Sequence, residues 1–158
     1  MKARILLVDD HEVLREGLKS LLAKARPDWE ICGEATDGAQ AMRLVTECNP
    51  DLVILDISMP VMSGLEAATQ MRKKGINVPL LIFTTHESDR LETEVRKVGA
   101  QGYVLKSQAA RNLVQAMDAL LGGGTFFGAP PPKRRADDKP DSGLIFFRGL
   151  GFAFEFAF

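Results

Sequence analysis

Residues 52–71 read LVILDISMPVMSGLEAATQM, and they contain one complete unit of the fold. Leu52 to Leu55 is a continuous apolar run of strand length that ends at Asp56, Met59-Pro60 and Gly64 mark a loop, and Leu65, Ala68 and Met71 recur at helical spacing. The same order repeats on both sides. Upstream, Ala3 to Val8 is an apolar run followed by Leu14, Leu18, Leu21, Leu22 and Ala25 on one helix face. Trp29 to Ala35 then reads as a strand, with Asp37 as N-cap of a helix striped by Ala41, Leu44, Val45 and Cys48 and stopped at Asn49-Pro50. Downstream, the strand Val78 to Phe83 precedes a helix carrying Leu91, Val95 and Val98, and the strand Gly102 to Leu105 precedes Ser107 as N-cap of a helix with Leu113, Ala116, Met117 and Leu120.

Strands that are apolar throughout are buried on both faces, and the intervening helices supply the crossovers that parallel strands need. The sequence therefore predicts an α/β fold over residues 1–121, a (βα)5 doubly wound parallel five-stranded sheet of the flavodoxin-like kind. Composition agrees with one globular domain plus a remainder: 158 residues are 46% hydrophobic and 26% charged, which excludes a collagen-like or mostly disordered chain. Twenty basic against 21 acidic residues give a net charge of −1, so nothing suggests nonspecific binding to nucleic acid. Cys32 and Cys48 stand among apolar neighbours without metal-ligand spacing and read as small core hydrophobes. The start of the chain lacks a signal-peptide core and no apolar run reaches membrane-spanning length, so a cytoplasmic protein without membrane contact is expected.

In such a sheet ligands bind beyond the carboxyl ends of the strands. Those ends carry Asp9-Asp10, Asp56, Thr84-Thr85 and Lys106. Three carboxylates in one crevice repel one another, and the usual remedy is a hard divalent cation with oxygen ligands, for which Mg²⁺ is the natural choice. With a cation and the Lys106 ammonium present, the site suits a phosphoryl group attacked in line by a carboxylate, and a hydroxyl such as that of Thr84 can hydrogen-bond a phosphoryl oxygen. Taken singly, each residue has an ordinary reading as an N-cap, a turn, a surface lysine or a β-branched strand residue. Their fall on one edge of one sheet is what the ordinary readings leave unexplained.

These motifs resemble the receiver domain of two-component response regulators. The matching text is LLVDDH (6–11), LVILDISMPVMSG (52–64), LLIFTTH (80–86) and GAQGYVLKS (99–107). The resemblance implies that Asp56 is the phosphoacceptor, that Asp10 and Asp56 ligate Mg²⁺ with the backbone carbonyl of Ser58, and that Asp9 acts mainly through water. It further implies that Lys106 contacts the phosphoryl group, and that Thr84 moves toward it and lets Tyr103 turn inward, reshaping the surface of the fourth helix, fifth strand and fifth helix. Ser58 and His86 fall where side chains tune phosphate lifetime in the family, although His86 also reads as a solvated loop residue. The implied partner is a sensor histidine kinase, and the implied role is a signalling switch and not a turnover enzyme.

Many receivers follow the lysine with proline, whereas Lys106 is followed by Ser107; with GGGTFF at 122–127 this resembles the subfamily whose receiver precedes a LuxR-type helix-turn-helix and regulates transcription. The stretch after Gly124 is too short for that module, so no DNA-binding domain is expected in this chain. Residues 122–142 read as a linker, with Pro130 to Pro132 and a charge run at Lys133, Arg134, Arg135, Asp137 and Asp138. Residues 143–158 hold six of the nine phenylalanines, and Phe152, Phe154, Phe156 and Phe158 alternate with Ala153, Glu155 and Ala157 as in a β-hairpin strand with an aromatic face. Such a face calls for burial against this domain or a second copy of the chain, or else it is the remnant of a truncated or frame-shifted gene. Transcriptional control is the leading output, and a single-domain regulator working only through protein contacts is the alternative. An aspartate-nucleophile phosphatase is disfavoured by Ser58 where a second acid would stand, and a flavodoxin-like carrier by Asp9-Asp10, which would repel a bound phosphate.

Overall fold

The computed structural model describes residues 2–127; the reading of 128–142 as linker and of 143–158 as an aromatic hairpin lies outside them. Five strands, β1 (Arg4–Val8), β2 (Glu30–Ala35), β3 (Leu52–Leu55), β4 (Leu80–Thr84) and β5 (Gly102–Leu105), alternate with α1 (Glu12–Ala25), α2 (Gly38–Cys48), α3 (Gly64–Lys73), α4 (Leu91–Lys97) and α5 (Ala109–Leu121). All pairings are parallel, in the order β2-β1-β3-β4-β5, so strand order reverses between β1 and β3.

The continuous apolar runs are explained by two cores. Ile5, Leu7, Leu52, Ile54, Leu81 and Phe83 face the layer of α1 and α5, while Leu6, Val8, Val53, Leu55, Leu80 and Ile82 face α2, α3 and α4. With side chains alternating across the sheet, every position of a central strand meets a helix layer, and no polar position is tolerated until the strand ends. The edge strand β2 escapes this pressure. It is only partly buried and slips register at Cys32, which lies between the Ile5–Ile31 and Leu6–Gly33 pairs.

Local signals set most boundaries. Asp37 Oδ1 accepts from Gln40 N at 2.8 Å and Ser63 Oγ from Glu66 N at 3.2 Å, capping α2 and α3, and Asn49 ends α2 in the left-handed region at φ 47° ahead of Pro50. β4 begins at Leu80 and not at Val78, because Pro79 has no N–H for the ladder, and Thr84 belongs to its last position. Ser107 is not the N-cap of α5. Lys106–Gln108 form a 3-10 turn, Ser107 is exposed, and α5 starts at Ala109; the tight turn lets Lys106 fold back into the sheet end. Cys32 and Cys48 are free and partly buried at the core margin, with Cys48 Sγ 3.2 Å from the carbonyl of Cys32. Among the described residues no helix is long and apolar enough to cross a membrane.

Arg72, near the end of α3, joins elements that are distant in sequence. Its guanidinium donates to the carbonyls of Gly99 (3.0 and 2.8 Å), Ile76 (2.7 Å) and Val78 (2.9 Å) and to Gln101 Oε1 (3.1 Å), and Gln101 Oε1 also accepts from Leu80 N at 2.8 Å. Arg72→Ala leaves several half-buried acceptors unpaired and is expected to cost about 2–4 kcal/mol in urea unfolding. Arg72→Lys should recover little of it, since one ammonium cannot span the same carbonyls.

Candidate functional site

The ladder carries the acidic residues to one end of the sheet. Asp9 N donates to the carbonyl of Ala35 at 3.0 Å and Asp56 N to that of Val8 at 2.9 Å, so both aspartates stand just past the last paired residues of β1 and β3, beside the point where strand order reverses. Asp9 and Asp56 are 3% exposed, Lys106 1% and Thr84 fully buried, and they are the buried polar or charged residues among those described. Lys106 Nζ lies 2.8 Å from Asp9 Oδ2 and 3.4 Å from Asp56 Oδ2.

This is two buried negative charges against one positive. Burial pushes the Asp56 carboxyl up to about 6, the neighbouring Asp9 adds to the rise, and Lys106 holds it down in part. Neither Asp9 Oδ2 nor Asp56 Oδ2 accepts a hydrogen bond from the protein, although Lys106 stands close to both. One carboxylate oxygen or ring nitrogen each from Asp9, Asp10, His11 and Asp56 lie within 4.8 Å of one another. Buried carboxylate oxygens with lone pairs to spare, converging on one point with excess negative charge, fit a hard divalent cation such as Mg²⁺.

The acidic loop is held from behind. His11 N donates to Asp9 Oδ1 at 2.9 Å and His11 Nδ1 lies 2.8 Å from the same oxygen, while Arg15 Nη1 donates to the Asp9 carbonyl at 2.6 Å and its Nε to Glu34 Oε1 at 3.2 Å. Neither role of His11 nor of Arg15 was visible from residue type. Both depend on where the loop after β1 folds back against α1 and β2, for which local spacing carries no signal.

The loop after β3 closes over the other side. Gly64 N donates to the Ile57 carbonyl at 2.9 Å, and an added Cβ at Gly64 would fall 1.8 Å from the Asp56 carbonyl, so only glycine lets the loop return this close to the acidic strand end. Ser58 lies in this loop with its Oγ hydrogen-bonded to His86 Nε2 at 2.9 Å, and His86 N in turn donates to Thr84 Oγ1 at 3.1 Å. The Ser58–His86 contact thus bridges the loops that follow β3 and β4. Tyr103 is placed elsewhere: it sits on the α4 side of β5, partly buried, with its ring against Phe127. Burial and the charges of Glu92 and Glu87 push its hydroxyl up.

Comparison with known proteins gives the family of the chain. The family model described as the response regulator receiver domain matches residues 5–118. The transcriptional regulatory protein YdfI of Bacillus subtilis is 44% identical over 120 residues, covering 76% of this chain and 55% of the relative. The nitrate/nitrite response regulator protein NarL of Escherichia coli K12 is 38% identical over 115 residues, 73% of this chain and 53% of that one. The chain therefore spans about half the length of these curated relatives. Among solved structures, a LuxR-family two-component response regulator from Aurantimonas sp. SI85-9A1 superposes with a TM-score of 0.75 at 38% identity, over 80% of this chain and 90% of the other.

Proposed function

The chain belongs to the response regulator receiver family, and from that premise we propose that Asp56 accepts a phosphoryl group from a sensor histidine kinase and that the aspartyl phosphate changes the surface around α4, β5 and α5. The observation that carries this reading is the buried cluster of Asp9, Asp56 and Lys106 at the sheet end, with more negative than positive charge and one ammonium shared between the two buried carboxylates. Receiver domains are signalling switches, and the chemistry asked of this site is one transfer and its later hydrolysis.

In that transfer an Asp56 carboxylate oxygen attacks phosphorus, an O–P bond forms as the donor's N–P bond breaks, and the bonding pair leaves with the donor imidazole nitrogen. Asp9, Asp10, Asp56 and the Ser58 backbone carbonyl would hold Mg²⁺, which would supply positive charge against the phosphoryl oxygens. Lys106, released from its contact with Asp56, pairs with the incoming oxygens instead. Thr84 offers its hydroxyl from the end of β4, and Tyr103 follows by turning toward the space that Thr84 leaves. Ser58 and His86, hydrogen-bonded to each other across the loops after β3 and β4, stand where their side chains would tune the lifetime of the aspartyl phosphate.

Several of the curated relatives, YdfI of Bacillus subtilis and DegU of Brevibacillus brevis among them, are named transcriptional regulatory proteins, and transcriptional control is the output proposed here. A regulator that acts only through protein contacts is the alternative, and an electrophoretic shift assay with and without phosphodonor separates the two. The receiver reading itself is tested by intact mass after incubation with acetyl phosphate and Mg²⁺. One added phosphoryl group, absent when the metal is chelated, is the expected result. Equal labelling in chelator would overturn the metal assignment.

A further inference from the structure

The sheet would leave the outer edge of β5 open, yet a segment beyond α5 lies along it. Gly122 N donates to Asp118 O and Gly124 N to Ala119 O, Gly123 turns at φ 87°, and the chain comes back beside β5. There Phe126 N donates to the Gln101 carbonyl at 2.9 Å and Tyr103 N to the Phe126 carbonyl at 2.9 Å, forming a parallel bridge between Gly102 and Phe126. The approach is so close that an added Cβ at Gly102 would fall 2.2 Å from the Phe126 carbonyl oxygen. Phe126 packs on the α1 and α5 core and Phe127 on the core of the other face, so the two rings straddle the sheet edge.

Phe127 does more than fill space. The Arg96 guanidinium of α4 lies 3.7 Å from its ring centroid, and the Tyr103 ring meets it edge-on at 6.4 Å and 64°. Arg96 is itself held by Glu92 through contacts of 3.1 and 2.9 Å. Tyr103 is therefore tied to this segment twice, by its amide to Phe126 and by its ring to Phe127.

We propose that Thr125–Phe127 is an autoinhibitory latch on the β5 edge, in which Phe127, clamped between Arg96 and Tyr103, holds Tyr103 on the α4 side and is let go when Asp56 is phosphorylated. The inference rests on the receiver reading above and names the element through which that site acts. Turning Tyr103 inward removes the ring partner of Phe127 and leaves the segment held only by the Phe126 bridge and Arg96, so the pairing at the β5 edge opens more often. By linkage the reverse also holds: a weakened latch favours the phosphorylated form.

The test is hydrogen exchange of the full chain with and without beryllofluoride and Mg²⁺ as a phosphoryl stand-in, together with Asp56 labelling rates by acetyl phosphate in Phe127→Ala and Phe127→Tyr. The latch predicts that the amides of Tyr103 and Phe126 exchange roughly tenfold faster in the beryllofluoride complex. It also predicts that Phe127→Ala labels about three- to tenfold faster than the unaltered chain, while Phe127→Tyr, which keeps an aromatic face, stays close to it. Unchanged exchange or an unchanged labelling rate in Phe127→Ala, with normal labelling of the unaltered chain, overturns the latch alone. No labelling of the unaltered chain overturns the receiver reading and the latch with it.

Discussion

Asp56→Asn abolishes phosphoryl labelling and makes the metal-free protein more stable. The first effect follows because an amide oxygen is a poor nucleophile toward phosphorus and the side chain is otherwise nearly the same shape. The second follows from the charges. In the fold the Asp56 carboxyl is pushed from 3.8 up to about 6, first by burial and then by Asp9, against the partial relief from Lys106. A carboxyl whose folded pKa is raised binds its proton more tightly in the native state, so stability is lost as pH rises from about 4 to about 6 and stays lost above it. The penalty at neutral pH is about 3 kcal/mol. Melting curves in chelator across this range should show the decline in the unaltered protein and a flat profile from this group in Asp56→Asn, with Lys106 still paired to Asp9 at 2.8 Å. Added Mg²⁺ should narrow the gap by stabilising the unaltered protein more than the variant. A variant less stable than the parent at pH 7 in chelator would mean that the cluster is not under electrostatic strain.

Lys106→Met should move stability the other way. Lys106 is 1% exposed and is the cation that stands between Asp9 and Asp56. Without it two carboxylates share a buried space with no counter-charge, a defect that costs about 3–5 kcal/mol when one partner of a buried pair is removed. Mg²⁺ should return part of that stability, because it supplies charge to the same oxygens. It should not return the labelling rate, which is expected to fall roughly 10²-fold for loss of one positioned charge on the phosphoryl oxygens. Thermal melts and acetyl phosphate labelling on the same preparation check both halves. Normal labelling in Lys106→Met would remove the lysine from the mechanism.

The central strands were legible because burial on both faces leaves no polar position inside them. Leu6 and Leu7 face different cores, as do Val53 and Ile54, and the first tolerated charges, Asp9 and Asp56, coincide with the strand ends. The acidic pocket was legible for the same reason, since parallel strands must bring their carboxyl ends together. What was hidden depends on contacts between residues far apart in sequence. The slip at Cys32 occurs in an edge strand whose partly buried side chains carry no strict pattern. Ser107 has the residue type of an N-cap, yet α5 starts at Ala109, because local capping preference says nothing of where Lys106 must aim. GGGTFF at 122–127 has the composition of a linker, and its last residues nonetheless pair with β5; only the glycine at 102, which allows the close approach, hints at it. Arg72 looks like any basic residue near a helix C-terminus until the carbonyls it collects are seen.

The most direct measurement of the central claim is peptide mapping by mass spectrometry after acetyl phosphate and Mg²⁺, on the unaltered chain and on Asp56→Asn side by side. The account predicts one phosphoryl group, carried by the peptide that contains Asp56, and none anywhere in the variant. A label on another peptide, or one that persists in Asp56→Asn, would contradict it.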